Sequence, residues 1–261
     1  MNLMILNLLV AHFIGDFYCQ CKRMCDKKIT EGCRFRCPTI FGHSVIIAVL
    51  SMLVLWDWEA WKVVLAILVS HFIIDWGKSS ISRKCNLTIV ENGKVKDGKN
   101  ARFRLWLFLS DQFLHIVAIF AFVNWLGDFS WESSKYISDF ISANQMMVKV
   151  ILACVIICKP ANILVQLILK ECEVKLTQTD DHGSFRSGAL IGSMERCLIL
   201  AFVILGKYEA IGFLLGAKSI LRFGHTQGKP EDEKSEYVLA GTLLSLAIAL
   251  VMGIIVVKLS F

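Results

Sequence analysis

Two short stretches place a histidine and an aspartate one helical turn apart within apolar sequence: His12-Phe-Ile-Gly-Asp16 followed by Phe17, and His71-Phe-Ile-Ile-Asp75 followed by Trp76. On a helix, positions i and i+4 lie one above the other, so each imidazole and carboxylate project from one face toward a common point. Such a pair can chelate a cation or pass a proton. The apolar segment after each repeat carries a further histidine: His43 in one case, His115 with Asp111 and Gln112 in the other. Imidazole nitrogens and carboxylate oxygens suit Zn, Mn or Fe, so His12, Asp16, His43, His71, Asp75, Asp111 and His115 are the expected ligands of one or two divalent ions. Asp16, Asp75 and Asp111, with Lys78 three residues beyond Asp75, are the expected catalytic groups. The competing account is that these residues satisfy one another, a histidine bonded to a carboxylate one turn away or Asp111 paired with a cation on a neighbouring helix. Lys78 is either a snorkelling lysine or a phosphate holder. Repetition of the pair, with two more histidines at similar depth, favours a metal or proton-handling site over self-satisfaction.

The elements that must position these residues are membrane helices. The chain has 261 residues, of which 56% are hydrophobic and 19% charged, with mean hydropathy +0.59. That balance lies far from soluble domains, which could not bury so much apolar surface. Eight stretches approach the roughly 20 apolar residues a membrane helix needs: 1–17, 40–56, 61–76, 105–126, 146–169, 187–205, 208–220 and 237–257. The first, third and seventh are short. The expected fold is therefore an all-α polytopic helix bundle of about eight helices. It forms a single membrane domain, with the His/Asp-bearing hairpins in residues 1–126 and a second helical half in residues 146–261. The first stretch lacks the basic flank and small-residue site of a cleaved signal and is read as retained.

Charge sets the orientation. Lys22, Arg23, Lys27, Lys28, Arg34 and Arg36 follow the first stretch and Lys78, Arg83, Lys84, Lys94, Lys96, Lys99, Arg102 and Arg104 follow the third, whereas the alternate connections are poor in cations. The excess of basic residues places both connections in the cytoplasm, and an even number of spans then puts both termini outside. With this orientation all seven candidate ligands fall in the cytoplasmic half. The first and third stretches run in the same direction, so the two hairpins can be related by a pseudo-two-fold axis along the membrane normal. A net charge of +6 so close to a membrane suits anionic headgroups, and nucleic acid is not the expected partner.

The second half holds Glu195-Arg196 inside an apolar run, with Lys218 and Arg222 one turn apart near the end of the seventh stretch. Glu195 can neutralise Lys218 or Arg196; otherwise Arg196, Lys218 and Arg222 form an anion clamp for a phosphate headgroup. Lys159-Pro160 is expected to kink the fifth stretch. Five of the ten cysteines, Cys19, Cys21, Cys25, Cys33 and Cys37, fall in the first connection without the paired spacing of a zinc ribbon, and reduced thiols are the default there. Asn92-Gly93 predicts a small hairpin between residues 87–90 and 94–95.

These motifs resemble the bacterial membrane family known as domain of unknown function 3307 (DUF3307). In the first half the resemblance rests on Ala11-His12 through Gly15-Asp16-Phe17 with Gln20, on His43, on His71 through Asp75 and Lys78, and on Asp111-Gln112 with His115. In the second it rests on Ile191-Gly192 with Glu195-Arg196, Ala210 through Phe213, Ala217 through Ser219 to Arg222-Phe223, and Glu236-Tyr237 with Gly241 through Ser245. The cysteine-rich first connection departs from the family pattern. The resemblance implies a multi-pass protein of the bacterial inner membrane and brings no activity with it. The His-x-x-x-Asp motifs are more distantly similar to those of inner-membrane proteins assigned as metal-dependent hydrolases. The leading expectation is a membrane-embedded metal-dependent hydrolase acting on a phosphoester or lipid-like substrate at the cytoplasmic leaflet. The alternatives are a metal-ion or proton transporter or channel, and a scaffold without turnover.

Overall fold

The structure, a computed structural model, describes residues 3–31, 37–56, 58–91, 94–97, 100–126, 144–171, 182–223 and 232–258. Their order is α1 (Leu3–Phe17), α2 (Lys22–Glu31), α3 (Pro38–Leu55), a 3₁₀ turn (Trp58–Ala60), α4 (Trp61–Lys84), β1 (Thr88–Glu91), β2 (Lys94–Asp97), α5 (Ala101–Leu126), α6 (Gln145–Glu171), α7 (His182–Ile204), α8 (Tyr208–Phe223) and α9 (Asp232–Lys258). The chain is a helix bundle, and each of the eight expected stretches is a helix. Five helical segments are long and apolar enough to cross a membrane, Pro38–Leu55, Trp58–Lys84, Ala101–Leu126, Gln145–Glu171 and Leu239–Lys258, with the shorter apolar Met4–Phe17 beside them.

Two features differ from the sequence expectation. The connection after α1 contains a helix, α2, where only a basic loop was foreseen. The third stretch does not stop at Trp76 but continues to Lys84. Pro160 lies inside α6, with helix on both sides of it. The short hairpin is present, antiparallel with Thr88 opposite Asp97 and Glu91 opposite Lys94. Asn92 and Gly93, Cys33, Arg34, Arg36 and the acidic connection at 128–139 lie outside the described residues.

The chain divides into two compact units, Met1–Leu152 and Ala153–Phe261. In the first, α1 packs on α3, α3 on α4, α4 on α5 and α5 back on α1, a closed ring of four helices, with α2 against α3 and α4. The two repeats, on α1 and α4, therefore stand at opposite corners of the ring. Gly15 lets α1 approach α3: a Cβ built there would lie 2.1 Å from Ile47 Cδ1, and Ile47 is itself fully buried. The turn out of α3 is made by Trp56 at φ 49°, whose N–H bonds to Met52 O.

Burial in this unit is inverted relative to a soluble protein. Phe41, Leu53, Ile73, Trp106 and Phe113 are more than half exposed on the outside of the ring, while His12, His43, His71, Asp75, Asp111 and His115 are buried within it. An apolar exterior around a polar interior is what hydrocarbon solvent requires. Exposed tryptophans mark the two rims. Trp106 and Trp125 on α5 are separated by 19 residues, about 28 Å at the helical rise, close to the roughly 30 Å thickness of a bilayer core. Measured from the rim opposite the basic connections, His71 is ten residues from Trp61 and His115 ten from Trp125, about 15 Å in each case. Asp75 and Asp111 lie one turn further toward the basic side.

In the second unit Ile199, Val203, Ile211 and Ala249 form a buried core between α7, α8 and α9. Gly253 sets how closely α9 approaches α7, since a Cβ there would lie 2.7 Å from Val203 Cγ1.

Candidate functional site

The seven ligand candidates of the first unit meet in one cluster at the centre of the four-helix ring. Asp16 is its hub. Its Oδ1 lies 2.9 Å from His43 Nε2 and 3.3 Å from His71 Nε2, while Oδ2 lies 3.9 Å from His12 Nε2 and accepts from Gln112 Nε2 at 3.3 Å. Asp75 Oδ2 lies 3.8 Å from His71 Nε2 and 3.9 Å from His43 Nε2. The imidazoles form a continuous file, with ring centroids 4.9 Å apart for His12 and His115, 4.2 Å for His115 and His71, and 5.0 Å for His71 and His43. Three overlapping sets have ligand atoms close enough to share an ion: His12, Asp16 and His71; His43, His71 and Asp75; and Asp16, Asp111 and His115.

Several of these atoms have no hydrogen-bond partner among the described residues. His115 Nε2, Asp111 Oδ1 and His43 Nδ1 are all buried and unpartnered. A buried polar atom left without a partner costs on the order of 1–3 kcal/mol, so several in one place demand an explanation. His115 provides a direct one. Its Nδ1 donates to the Asp111 backbone carbonyl at 2.8 Å, which fixes the proton on Nδ1 and leaves the Nε2 lone pair directed into the cluster. This is the arrangement that presents a neutral histidine to a metal.

Two lysines complete the site. Lys78 Nζ lies 2.6 Å from Asp111 Oδ2, so it neither snorkels away nor stands free for a phosphate; it is paired across the α4–α5 contact. The Lys78 side chain retains 36% exposure while Asp111 is sealed, so Lys78 is the route from the cluster to the protein surface. Lys28, on α2, is buried and places Nζ 2.5 Å from Asp75 Oδ2. Sequence reasoning missed Lys28, because a run of cations after a membrane segment reads as solvated loop. The available signal was the inward face formed by Met24, Cys25 and Lys28 at helical spacing. Gln20 places its amide nitrogen 2.5 Å from His43 Nε2, and Cys25 Sγ donates to Gln20 Oε1 at 3.4 Å. Burial pushes the Cys25 thiol above its usual range, which keeps it protonated and a poor metal ligand.

In the second unit Arg196 is fully buried and its guanidinium is occupied. Nε donates to Ile157 O at 2.5 Å, one terminal nitrogen to Ser245 Oγ at 2.7 Å, and the other to Asn162 Oδ1, to Ser193 Oγ at 3.2 Å and to Cys158 O at 3.5 Å. The two carbonyls it uses, those of Ile157 and Cys158, lie in the turn of α6 before Pro160. Lys218 donates to Glu195 Oε2 at 2.5 Å, the neutralising pair expected from the sequence. The Arg222 side chain lies outside the described residues.

A helical membrane bundle with a dry His/Asp/Lys centre at mid-depth is thus the class that fold and site define. The family model described as "Protein of unknown function (DUF3307)" matches residues 4–142, more than half of the chain and the whole of the cluster, and the chain belongs to that family. The second-half motifs lie beyond the matched residues. No curated protein and no solved structure is similar to the chain.

Proposed function

We propose that the first unit is a divalent-metal centre, embedded in the inner membrane of a bacterium, that hydrolyses a phosphoester whose apolar part lies in the cytoplasmic leaflet. The observation that carries this reading is the placement of two unpartnered ligand atoms, His115 Nε2 and Asp111 Oδ1, beside the Asp16 carboxylate in one set of possible metal ligands. Helices packed this closely would not bury such atoms together unless something bound them. Zn, Mn and Fe all accept this donor set. A divalent ion held there would lower the pKa of a bound water to near neutrality and polarise a phosphoryl oxygen.

The chain's own residues supply the remainder. Asp16 orients His43 and His71 through one oxygen and is itself held by Gln112 through the other. Asp111 Oδ1 is free to accept a proton. Lys78 holds Asp111 in place through its ion pair across α4 and α5. The depth of the site favours a lipid-like substrate, since a soluble ester would have to leave water to reach it. Elemental analysis of detergent-purified protein, beside His71→Ala and Asp111→Asn, tests the centre, and hydrolysis of bis(p-nitrophenyl) phosphate and of phospholipid in mixed micelles tests the chemistry. Stoichiometric metal in the wild type, with metal and turnover lost together in the variants, is the expected result. Protein that takes up neither Zn, Mn nor Fe on reconstitution ends the reading.

A second reading, proton or metal-ion movement through the membrane, is favoured by the unbroken file of His12, His115, His71 and His43. Ion flux in proteoliposomes abolished by His12→Ala, with no hydrolysis of either ester, selects it.

A further inference from the structure

The cluster is open at one end and filled at the other. At the Asp111 and His115 end, ligand atoms have no partner among the described residues. At the Asp75 and His43 end, the polypeptide supplies a cation of its own: Lys28 Nζ sits on Asp75 Oδ2, and His43 Nε2 is held by Asp16 Oδ1 at 2.9 Å, with only His43 Nδ1 unpartnered among the described residues there. One of the three ligand sets, His43, His71 and Asp75, therefore has an ammonium group on its only carboxylate. We propose that Lys28 occupies the place of a second metal ion, so that the centre holds a single divalent cation in the set formed by Asp16, Asp111 and His115. The proposal rests on the metal-centre reading above and specifies its stoichiometry.

Charge supports the assignment. Three carboxylates, Asp16, Asp75 and Asp111, face two ammonium groups, Lys28 and Lys78, so the site carries one net negative charge with its histidines neutral. One divalent ion with one deprotonated water brings that to zero. A second ion would leave an excess of positive charge at the middle of a bilayer, where unpaired charge is most costly. Lys28 arrives on α2, which packs against α3 and α4, so the internal cation is delivered by an element separate from the four ligand-bearing helices. Lys78 pairs with Asp111 Oδ2 while Asp111 Oδ1 is buried without a partner among the described residues, so a carboxylate oxygen remains for the ion at that end.

The test uses the full chain in detergent, stripped with chelator, loaded with Mn(II) and freed of excess ion, with folding followed by gel filtration. Wild type should retain one Mn per chain with the six-line spectrum of an isolated ion. Lys28→Ala and Lys28→Gln should retain two, with the broadened spectrum of two coupled ions, and Lys28→Ala/Asp75→Ala should return to one. Two coupled ions in the wild type overturn the proposal without requiring any variant to fold. One ion in both single variants also overturns it while leaving the metal centre standing. No ion in the wild type after Zn, Mn and Fe loading removes the metal centre and this proposal with it.

Discussion

Removing the ammonium of Lys78 should destabilise the first unit far more than its position at the edge of the site suggests. At an effective dielectric of about 20, unit charges as close as the 2.6 Å between Lys78 Nζ and Asp111 Oδ2 attract by about 6 kcal/mol, most of which is offset by the desolvation of both groups. The net worth of the pair is therefore small, but breaking it from one side is not. Lys78→Met leaves the Asp111 carboxylate, 1% exposed, with only the Gln112 amide at 3.0 Å on that oxygen, and the cost of such an uncompensated charge is about 3 kcal/mol. Asp111→Asn leaves instead a lysine that is a third exposed and can swing to the surface, for a cost of about 1 kcal/mol. The double variant Lys78→Met/Asp111→Asn removes both charges and should fall within about 1 kcal/mol of wild type, giving a coupling of about 3–4 kcal/mol. Unfolding by SDS titration of chelator-treated protein in mixed micelles, read by tryptophan fluorescence, measures all four corners of the cycle without a metal contribution. Equal costs for the two single variants, or additive costs in the double, would refute the claim that a sealed carboxylate is the sensitive partner.

Other perturbations separate packing from chemistry. Gly253→Ala sets a methyl against Val203, itself buried, and should cost about 1–3 kcal/mol by the same titration, whereas Gly216→Ala on α8, where a Cβ meets nothing within 4 Å, should be neutral or slightly stabilising. Arg196→Lys keeps the charge but cannot reproduce the fork that reaches Ile157 O, Ser245 and Asn162 together; a loss of about 2 kcal/mol or more, with metal content in the first unit unchanged, is expected from paired unfolding and elemental measurements.

Much of the cluster was legible in the sequence because membrane solvent makes it so. An ionisable residue in an apolar run is costly, so His12, Asp16, His71 and Asp75 stand out against their neighbours, and their repetition at i and i+4 fixes their facing. Helix existence followed from the same contrast. Boundaries did not: α4 extends past Trp76 because its last turns, rich in Ser and Lys, are held by α2 and the hairpin, which is tertiary information. Lys28 was invisible for the complementary reason. A lysine among lysines carries no contrast, and only packing of α2 against α3 and α4 shows which one turns inward. The partner of Lys78 was equally out of reach, since Asp111 lies 33 residues away and either snorkelling or pairing satisfies the local pattern.

The ring of four helices also bears on how the protein is made. Each hairpin pairs some of its own polar residues, Asp16 with His43 across α1 and α3 and Lys78 with Asp111 across α4 and α5, but the file of imidazoles closes only when the two hairpins meet. An aspartate at mid-membrane costs about 2.5–3.5 kcal/mol on the insertion scale, so α1, short and carrying His12 and Asp16, is a poor span by itself. Its partner surfaces on α4 and α5 do not exist until some hundred further residues have been synthesised. The contacts of His12 and Asp16 to His71, Gln112 and His115 are thus made only once the second hairpin is in place.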